Sequence, residues 1–501
     1  MIEKITTTIL SILKSKKFFY FVIAVLFIQA LWMALTASYP MAFDESFHMG
    51  IIQIYSHQWG PILSKTPVDS AQYGELTHDP SYLYHYLMSF PYRIIHPLVN
   101  SYAGEIIVMR LLNTGLFIGG LFAFRKLLVR IGASRALTHF SLFMLVLLPV
   151  TPFLAAHINY DNMFFWLVPI NIWFALNCAE TITKSKKVFA KDFILLITIG
   201  FLTCLVKYVF LPIFLAIFLY LFFLWIRSGK KKAILKNLVP SFAALSRRVQ
   251  IGLSLLFIIS TGLFIQRYAV NVIEYGNVQP ECSKVESVQS CLRYGPWVRN
   301  YYLAISAEAP DSVPNPTKAL FLPNWFGGMI YRLYFAINYD FDEYSAMPLP
   351  IGLAYVVGIV GTIALFVFWK AVLRINQHIL LLIAVILFYS LSLLYINFTD
   401  YLHYHTMVAI NGRYFIPLLP FICIIIGLAF RHVLSVVFKQ NSTKAKVLLC
   451  VIASLCAANG GGVLTYLIHS DAVWYWQYDP LTGFNLFMKK IATALTIGAP
   501  K

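Results

Sequence analysis

Two adjacent carboxylates, Asp44 and Glu45, stand just after a long apolar run, in the stretch Tyr39-Pro-Met-Ala-Phe-Asp-Glu-Ser-Phe-His48. Acidic side chains are costly at the edge of a bilayer, so a pair of them there points to a use. A carboxylate within reach of a hydroxyl can take its proton as the oxygen attacks a carbon, which makes Asp44 a candidate general base. A third acid, Asp161, in His157-Ile-Asn-Tyr-Asp-Asn162, opens a later apolar run. Asp161 and Glu45 can orient an acceptor. Asp44 and Asp161 can also share a divalent cation, Mg2+ or Mn2+, through oxygen ligands, although nothing in the sequence requires the metal. Asp44 and Asp161 can equally cap the helices that follow them.

The basic candidates suit a phosphate. Arg413, in Ala409-Ile-Asn-Gly-Arg-Tyr-Phe-Ile-Pro417, begins a run of apolar residues. A planar guanidinium there can grip a phosphate with two hydrogen bonds, and Gly412 would let a headgroup approach the backbone. The same arginine would also serve as a headgroup anchor. Lys207 and Arg299 are further phosphate candidates that can instead snorkel or pair with an acid. His48 lies four residues beyond Asp44, hence on the same side of a helix, and His78 stands in His78-Asp-Pro80. No pattern of His or Cys makes a zinc site.

The elements that position these residues are dictated by composition. Of 501 residues 59% are hydrophobic and only 12% charged, and the mean hydropathy is +0.72. Such a chain is not an ordinary soluble domain. Apolar runs at about 18–39, 105–124, 136–156, 162–179, 191–206, 208–226, 251–270, 348–369, 377–398, 414–430 and 447–468 predict eleven transmembrane helices, the fifth and sixth parted only by Lys207-Tyr208. The expected fold is an all-α polytopic membrane protein, a bundle over residues 1–470 with an external tail over 471–501. The first run is read as an uncleaved anchor.

With the N-terminus in the cytoplasm most Lys and Arg fall inside, including Lys14, Lys16, Lys17, Arg125, Lys126, Lys230, Lys231 and Lys232. The net charge of +18 is thus a topology signal and not a nucleic-acid footprint. This orientation puts two large segments outside, about 40–104 and 271–347, and with them the chemistry. Asp44–Gln58 reads as an amphipathic helix, and a second is expected from Asp79-Pro80 toward Pro91; both could lie flat on the bilayer. Cys282 and Cys291, separated by eight residues in the second loop, can form a disulfide in an oxidising compartment, or remain two free thiols. Asn397-Phe-Thr399 is a glycosylation triplet at a span end. Trp474, Tyr475, Trp476 and Tyr478 can stack on sugars or form an interfacial belt.

Phe43-Asp-Glu-Ser-Phe-His48, His78-Asp-Pro80 before a Tyr/Leu-rich helix, and Asn159-Tyr-Asp-Asn162 together resemble the C-type (GT-C) membrane glycosyltransferases. Within that group, Asn411-Gly-Arg-Tyr-Phe-Ile-Pro417 and the segment Cys282 to Asn300 are most similar to the DUF2142 family of predicted glycosyltransferases. The resemblance implies a polyprenyl-phosphate-linked sugar donor, Asp44 as catalytic carboxylate, Asp161 as its partner, and Arg413, with Tyr414 beside it, at the lipid phosphate. Pro80-Ser-Tyr stands where the family has Pro-Pro-Leu, and Asn411 where it has Gln. The expected function is inverting transfer of a sugar to an acceptor hydroxyl on a glycan, lipid or protein. It would take place at the extracytoplasmic face of a plasma (inner) membrane, among membrane lipids and with no nucleic acid involved. Two other classes stay open. A transporter or flippase of lipid-linked glycans would favour charges at the bilayer midplane and inverted repeats. A scaffold for envelope assembly would depend on no single carboxylate.

Overall fold

The computed structural model describes residues 2–41, 44–67, 69–184, 190–229, 231–308, 318–334, 349–437, 442–458, 467, 472–477 and 479–495. Parts of the second expected loop, the second half of the run at 447–468, and Lys230 and Tyr478 lie outside them. Among the described residues the β pairing is a single bridge, Ala37 to Tyr475, and the rest is helix and connection.

An amphipathic helix α1 (Ile2–Lys14) precedes α2 (Lys16–Thr36), which starts where the Ser15 hydroxyl accepts the Phe18 amide at 3.0 Å. The first loop carries α3 (Glu45–Ser56) and α4 (Leu83–Ile95). Next come α5 (Tyr102–Arg130), α6 (Arg135–Leu147), the short α7 (Val150–Ala155), α8 (Tyr160–Lys184), α9 (Ala190–Val206) and α10 (Leu211–Arg227). Serines cap α5 and α6 in the same way as α2. After α11 (Lys231–Ala243), α12 (Arg247–Phe264) passes through one π turn, Ile265–Ala269, into α13 (Val270–Tyr275). Two four-residue helices, α14 (Cys282–Val285) and α15 (Val288–Cys291), and α16 (Gly295–Glu308) form the second loop. The chain continues with α17 (Lys318–Tyr334), α18 (Leu349–Ile375), α19 (Ile379–Tyr404), α20 (Leu419–Val437), α21 (Ser442–Ala458) and α22 (Asp479–Leu495).

Eight of these stretches are long and apolar enough to cross a membrane, among them α2, α5, most of α8 and α19. The run expected at 136–156 is broken after Leu147, because Pro149 has no amide to continue the ladder. Both α9 and the described part of α21 are 17 residues long. One contiguous core joins α2, α5, α6, α8, α9, α10, α19 and α20. In contrast, α12 turns Ile251, Leu255, Ile258 and Ile259 outward, as a lipid-facing helix does.

Four details differ from the sequence reading. Helix α3 is packed on both sides, with His48, Met49, Ile51, Ile52 and Tyr55 buried, so it is an internal element and does not lie flat on the bilayer. Helix α4 begins at Leu83 and not at Pro80, since the Asp79 carboxylate closes a local turn on the Ser81 amide at 2.9 Å. Asn397 is buried, and its side chain accepts from Trp325 Nε1 at 2.9 Å, so the triplet is no open glycosylation acceptor. The tail returns to the bundle: Ser38 donates to the Trp474 carbonyl at 2.8 Å, Trp476 donates to the Thr36 carbonyl at 3.1 Å, and Tyr475 is buried.

Candidate functional site

The end of α2, the start of α3, the start of α8, the junction of α9 with α10 and the turn before α20 meet at one end of the bundle. Asp44, between α2 and α3, has φ 68°, the left-handed region where a residue with a Cβ is strained. Its side chain makes no capping hydrogen bond, which removes capping as the reason for an acid here. The carboxylate instead receives Arg413 Nη2 at 3.2 Å and is 57% exposed, whereas the arginine side chain is 8% exposed. Opposite them, Asp161 in the first turn of α8 pairs with Lys207 Nζ through one oxygen; its other oxygen makes no hydrogen bond among the described residues. The Lys207 ammonium sits over the Tyr160 ring at 4.5 Å and the Tyr414 ring at 5.2 Å. Burial pushes the Lys207 amine below its ordinary range and the Arg413 charge adds to this, while the Asp161 and Asp44 carboxylates pull it back. Both acids and both bases therefore share one electrostatic neighbourhood.

Glu45 has a different place from the one expected. Its carboxylate is fully buried and takes two hydrogen bonds from Arg110, Nε and Nη2, each at 2.8 Å. Burial pushes the carboxyl up, but the Arg110 charge and hydrogen bonds outweigh that and hold it below the usual range. The same guanidinium donates to the carbonyls of Ala37 at 2.6 Å and Ser38 at 3.0 Å, and Glu45 accepts the Met41 amide at 2.8 Å. The pair thus clamps the linker that carries Asp44, and nothing of Glu45 is presented to an acceptor. Sequence reasoning missed Arg110; the signal was a lone cation inside an apolar run. Arg267 gives the same signal: it is buried in the π turn with its guanidinium 4.9 Å from the Tyr82 ring centre.

His48 is paired with another histidine, its Nδ1 lying 2.8 Å from His85 Nε2, with the Tyr160 ring edge-on at 4.6 Å. Burial pushes His48 well below the ordinary imidazole range, assisted by His85, and burial alone brings His85 down to about 3. No spacing pattern could have paired residues 37 apart. His157 is also pushed down by burial, to about 4, although Glu45 pulls it upward. His78 joins another group, lying 3.5 Å from Glu75 and 3.9 Å from Glu274. Arg299 is exposed and bonds the neighbouring Asn300 side chain, apart from the buried cluster.

Gly412 has a packing role and not the expected headgroup approach. A Cβ there would lie 2.4 Å from the Met329 carbonyl oxygen and 2.8 Å from the Leu333 amide, so the glycine admits α17 against the turn that carries Arg413. The disulfide between Cys282 and Cys291 is formed, which stabilises its loop by roughly 2–3 kcal/mol. Among the described residues no three His, Cys, Asp or Glu side chains gather as a metal would need. Asp44 and Asp161 each face a basic side chain instead. No family model, curated protein or solved structure matches this chain.

Proposed function

We propose that the chain is a membrane glycosyltransferase that moves a sugar from a polyprenyl-phosphate donor to an acceptor hydroxyl at the extracytoplasmic face. The observation that carries this reading is Asp44. It is held in a strained conformation, excused from capping, half-exposed, and set beside two buried cations. Strain and open carboxylates at one point are features of working sites.

In the step we assign, Asp44 accepts the hydroxyl proton as the acceptor oxygen bonds to the anomeric carbon. The bond from that carbon to the phosphate oxygen breaks on the opposite face, and its electron pair leaves with the lipid phosphate. Arg413 and Lys207 then stabilise the departing charge, and the anomeric carbon is inverted. Resting ion pairs with Asp44 and Asp161 keep both cations in place before the phosphate arrives. No step needs a metal, and the acids already have basic partners. A donor with a long lipid accounts for a site at the end of a membrane bundle, since its tail never leaves hydrocarbon.

The reading includes eleven crossings, with α6 and α7 together, α9 and α21 added to the eight long stretches. Parity supports it: α2 ends at the site, and the tail pairs back onto that same end through Ala37 and Tyr475. From α2 onward, only an odd total returns the chain there.

The deciding assay is sugar transfer in reconstituted membranes from a panel of radiolabelled polyprenyl-phosphate sugars, with wild type beside Asp44→Asn. Asparagine tolerates the left-handed backbone, so the variant should fold as wild type does. Transfer should fall by about 10²- to 10⁴-fold. Retained transfer would sink the assignment of Asp44. Labelled lipid crossing the bilayer in both proteins, with no transfer, would favour a transporter.

A further inference from the structure

Helix α12 turns apolar side chains outward along most of its length, and the π turn after it, Ile265–Ala269, buries Arg267 and Tyr268. An extra residue in a turn re-aims the side chains around it, and such turns collect at functional sites. Arg267 is 1% exposed and lies within the apolar stretch Arg247–Tyr275, where a charge without a counterion is expensive. Among the described residues no carboxylate comes within ion-pair distance of it, and its Nε and Nη2 make no hydrogen bond. The Tyr55 hydroxyl beside it completes no hydrogen bond of ordinary geometry, nor does that of Tyr82, whose ring centre is 4.9 Å from the guanidinium. Arg110 shows what this edge of an arginine takes when it is satisfied. There Nε and Nη2 each reach one oxygen of the Glu45 carboxylate at 2.8 Å.

The group adjoins the charged cluster on two sides. Tyr82 follows Ser81, whose hydroxyl accepts the Tyr208 amide at 3.1 Å, and Tyr208 follows Lys207. Tyr268 follows Arg267 and donates its hydroxyl to the Cys204 carbonyl at 2.6 Å, three residues before Lys207. Tyr294 connects the group to Asp44, for burial pushes its phenol up and the Asp79 and Asp44 carboxylates both add to this. Asp79 in turn feels Arg267: burial pushes its carboxyl up to about 6, while the Ser81 amide and the Arg267 charge pull it down.

We propose that Arg267 recognises a carboxylate on the acceptor, with the Tyr55 and Tyr82 hydroxyls as further donors, so that the acceptor is an acidic sugar or glycan. The inference rests on the transferase reading and names its acceptor class. The fork formed by Nε and Nη2 spans the two oxygens of one anion. A singly charged carboxylate suits it better than a phosphate dianion, because Asp79 lies in the same field. The Tyr82 ring swings aside to admit the guest, which is then enclosed away from water.

The test uses the full chain in phosphatidylcholine nanodiscs and saturation-transfer NMR, with D-glucuronate, its neutral isostere D-glucuronamide and glucose 6-phosphate as probes. Wild type should bind glucuronate at least tenfold more tightly than glucuronamide, and more tightly than glucose 6-phosphate. Arg267→Met should remove the glucuronate signal, and Tyr55→Phe, which keeps the ring, should weaken binding several-fold. Binding that survives Arg267→Met, or that is equal for glucuronate and glucuronamide, overturns the proposal. Tighter binding of glucose 6-phosphate overturns the carboxylate assignment and makes the guest a phosphate. If the methionine variant fails to fold, Tyr55→Phe decides, since an unchanged affinity there puts the anion elsewhere. Glucuronate held at Arg267 without any sugar transfer would leave this site standing and remove the transferase. Transfer by a protein that ignores glucuronate would do the reverse.

Discussion

At the scale of single residues, the two neighbours Asp44 and Glu45 divide into a half-exposed acid, the proposed base, and a fully buried structural one. Glu45 is closed in with Arg110 at full burial, so removing its charge leaves an uncompensated guanidinium in the core. Glu45→Gln should cost about 3–5 kcal/mol, read as a lowered unfolding midpoint in detergent, while Asp44→Asn should leave the midpoint close to wild type. Equal midpoints for the two variants would return Glu45 to the candidate acceptor site. The buried imidazoles add a pH dependence of defined sign. His85 and His157 are held neutral, at about 3 and about 4, while the unfolded chain titrates near the ordinary imidazole value. Their stabilisation is complete above that value and is lost as pH falls toward the folded values, by about 1.4 kcal/mol per pH unit for each ring. Unfolding midpoints should therefore drop between pH 7 and pH 5, and His85→Phe should flatten the decline. A midpoint unchanged across that range would mean that the rings are not held neutral.

At the scale of elements, what was legible in the sequence is what depends on local pattern. The expected helix from Asp44 to Gln58 is found at Glu45–Ser56, and most apolar runs became helices near their expected limits. Where reading failed, a nonlocal or a backbone cause is identifiable. A hydropathy window passes over Pro149, and it cannot see the π turn that draws Arg267 inward. Exposure of the α3 faces is set by α4, whose distance in the chain no amphipathic pattern encodes. Arg413 and Asp44, 369 residues apart, were each legible as candidates, but their meeting was not. Gly412 shows how an element holds the site. Gly412→Ala places a methyl against the backbone of α17, which cannot yield as a flexible side chain would, so the turn carrying Arg413 must shift. The expected outcome is a clear loss of thermal stability together with a loss of transfer. Gly252→Ala, on α12 with nothing within 4 Å, should be neutral or stabilising by up to about 1 kcal/mol. Identical behaviour of the two alanine variants would refute close packing at Gly412.

At the scale of the whole molecule, three observations of different kinds bear on which side of the membrane the site faces. The excess of Lys and Arg at the opposite helix ends, as in Arg125, Lys126 and Arg227, follows the distribution of cytoplasmic loops. A disulfide belongs in an oxidising compartment, and Cys282–Cys291 sits on the site end: Thr66 of the first loop bonds the Glu286 carboxylate between the two cysteines, and Phe47 packs on Tyr294 at 5.9 Å. In the proposed topology the tail that pairs Tyr475 with Ala37 implies an odd number of crossings, with the N-terminus opposite the site. A membrane-impermeant maleimide should therefore label Ser64→Cys, exposed in the first loop, from outside intact cells. Arg227→Cys, exposed at the far end of α10, should react only after permeabilisation. The inverse pattern would place Asp44 and Arg413 in the cytoplasm, where a disulfide is not maintained and soluble nucleotide sugars are within reach. The same site would then have no need of a lipid to deliver its donor. Labelling of both from one side would mean that the apolar stretch Tyr208–Arg227, which leads from the site to Arg227, does not cross the bilayer, and would overturn the eleven-crossing topology.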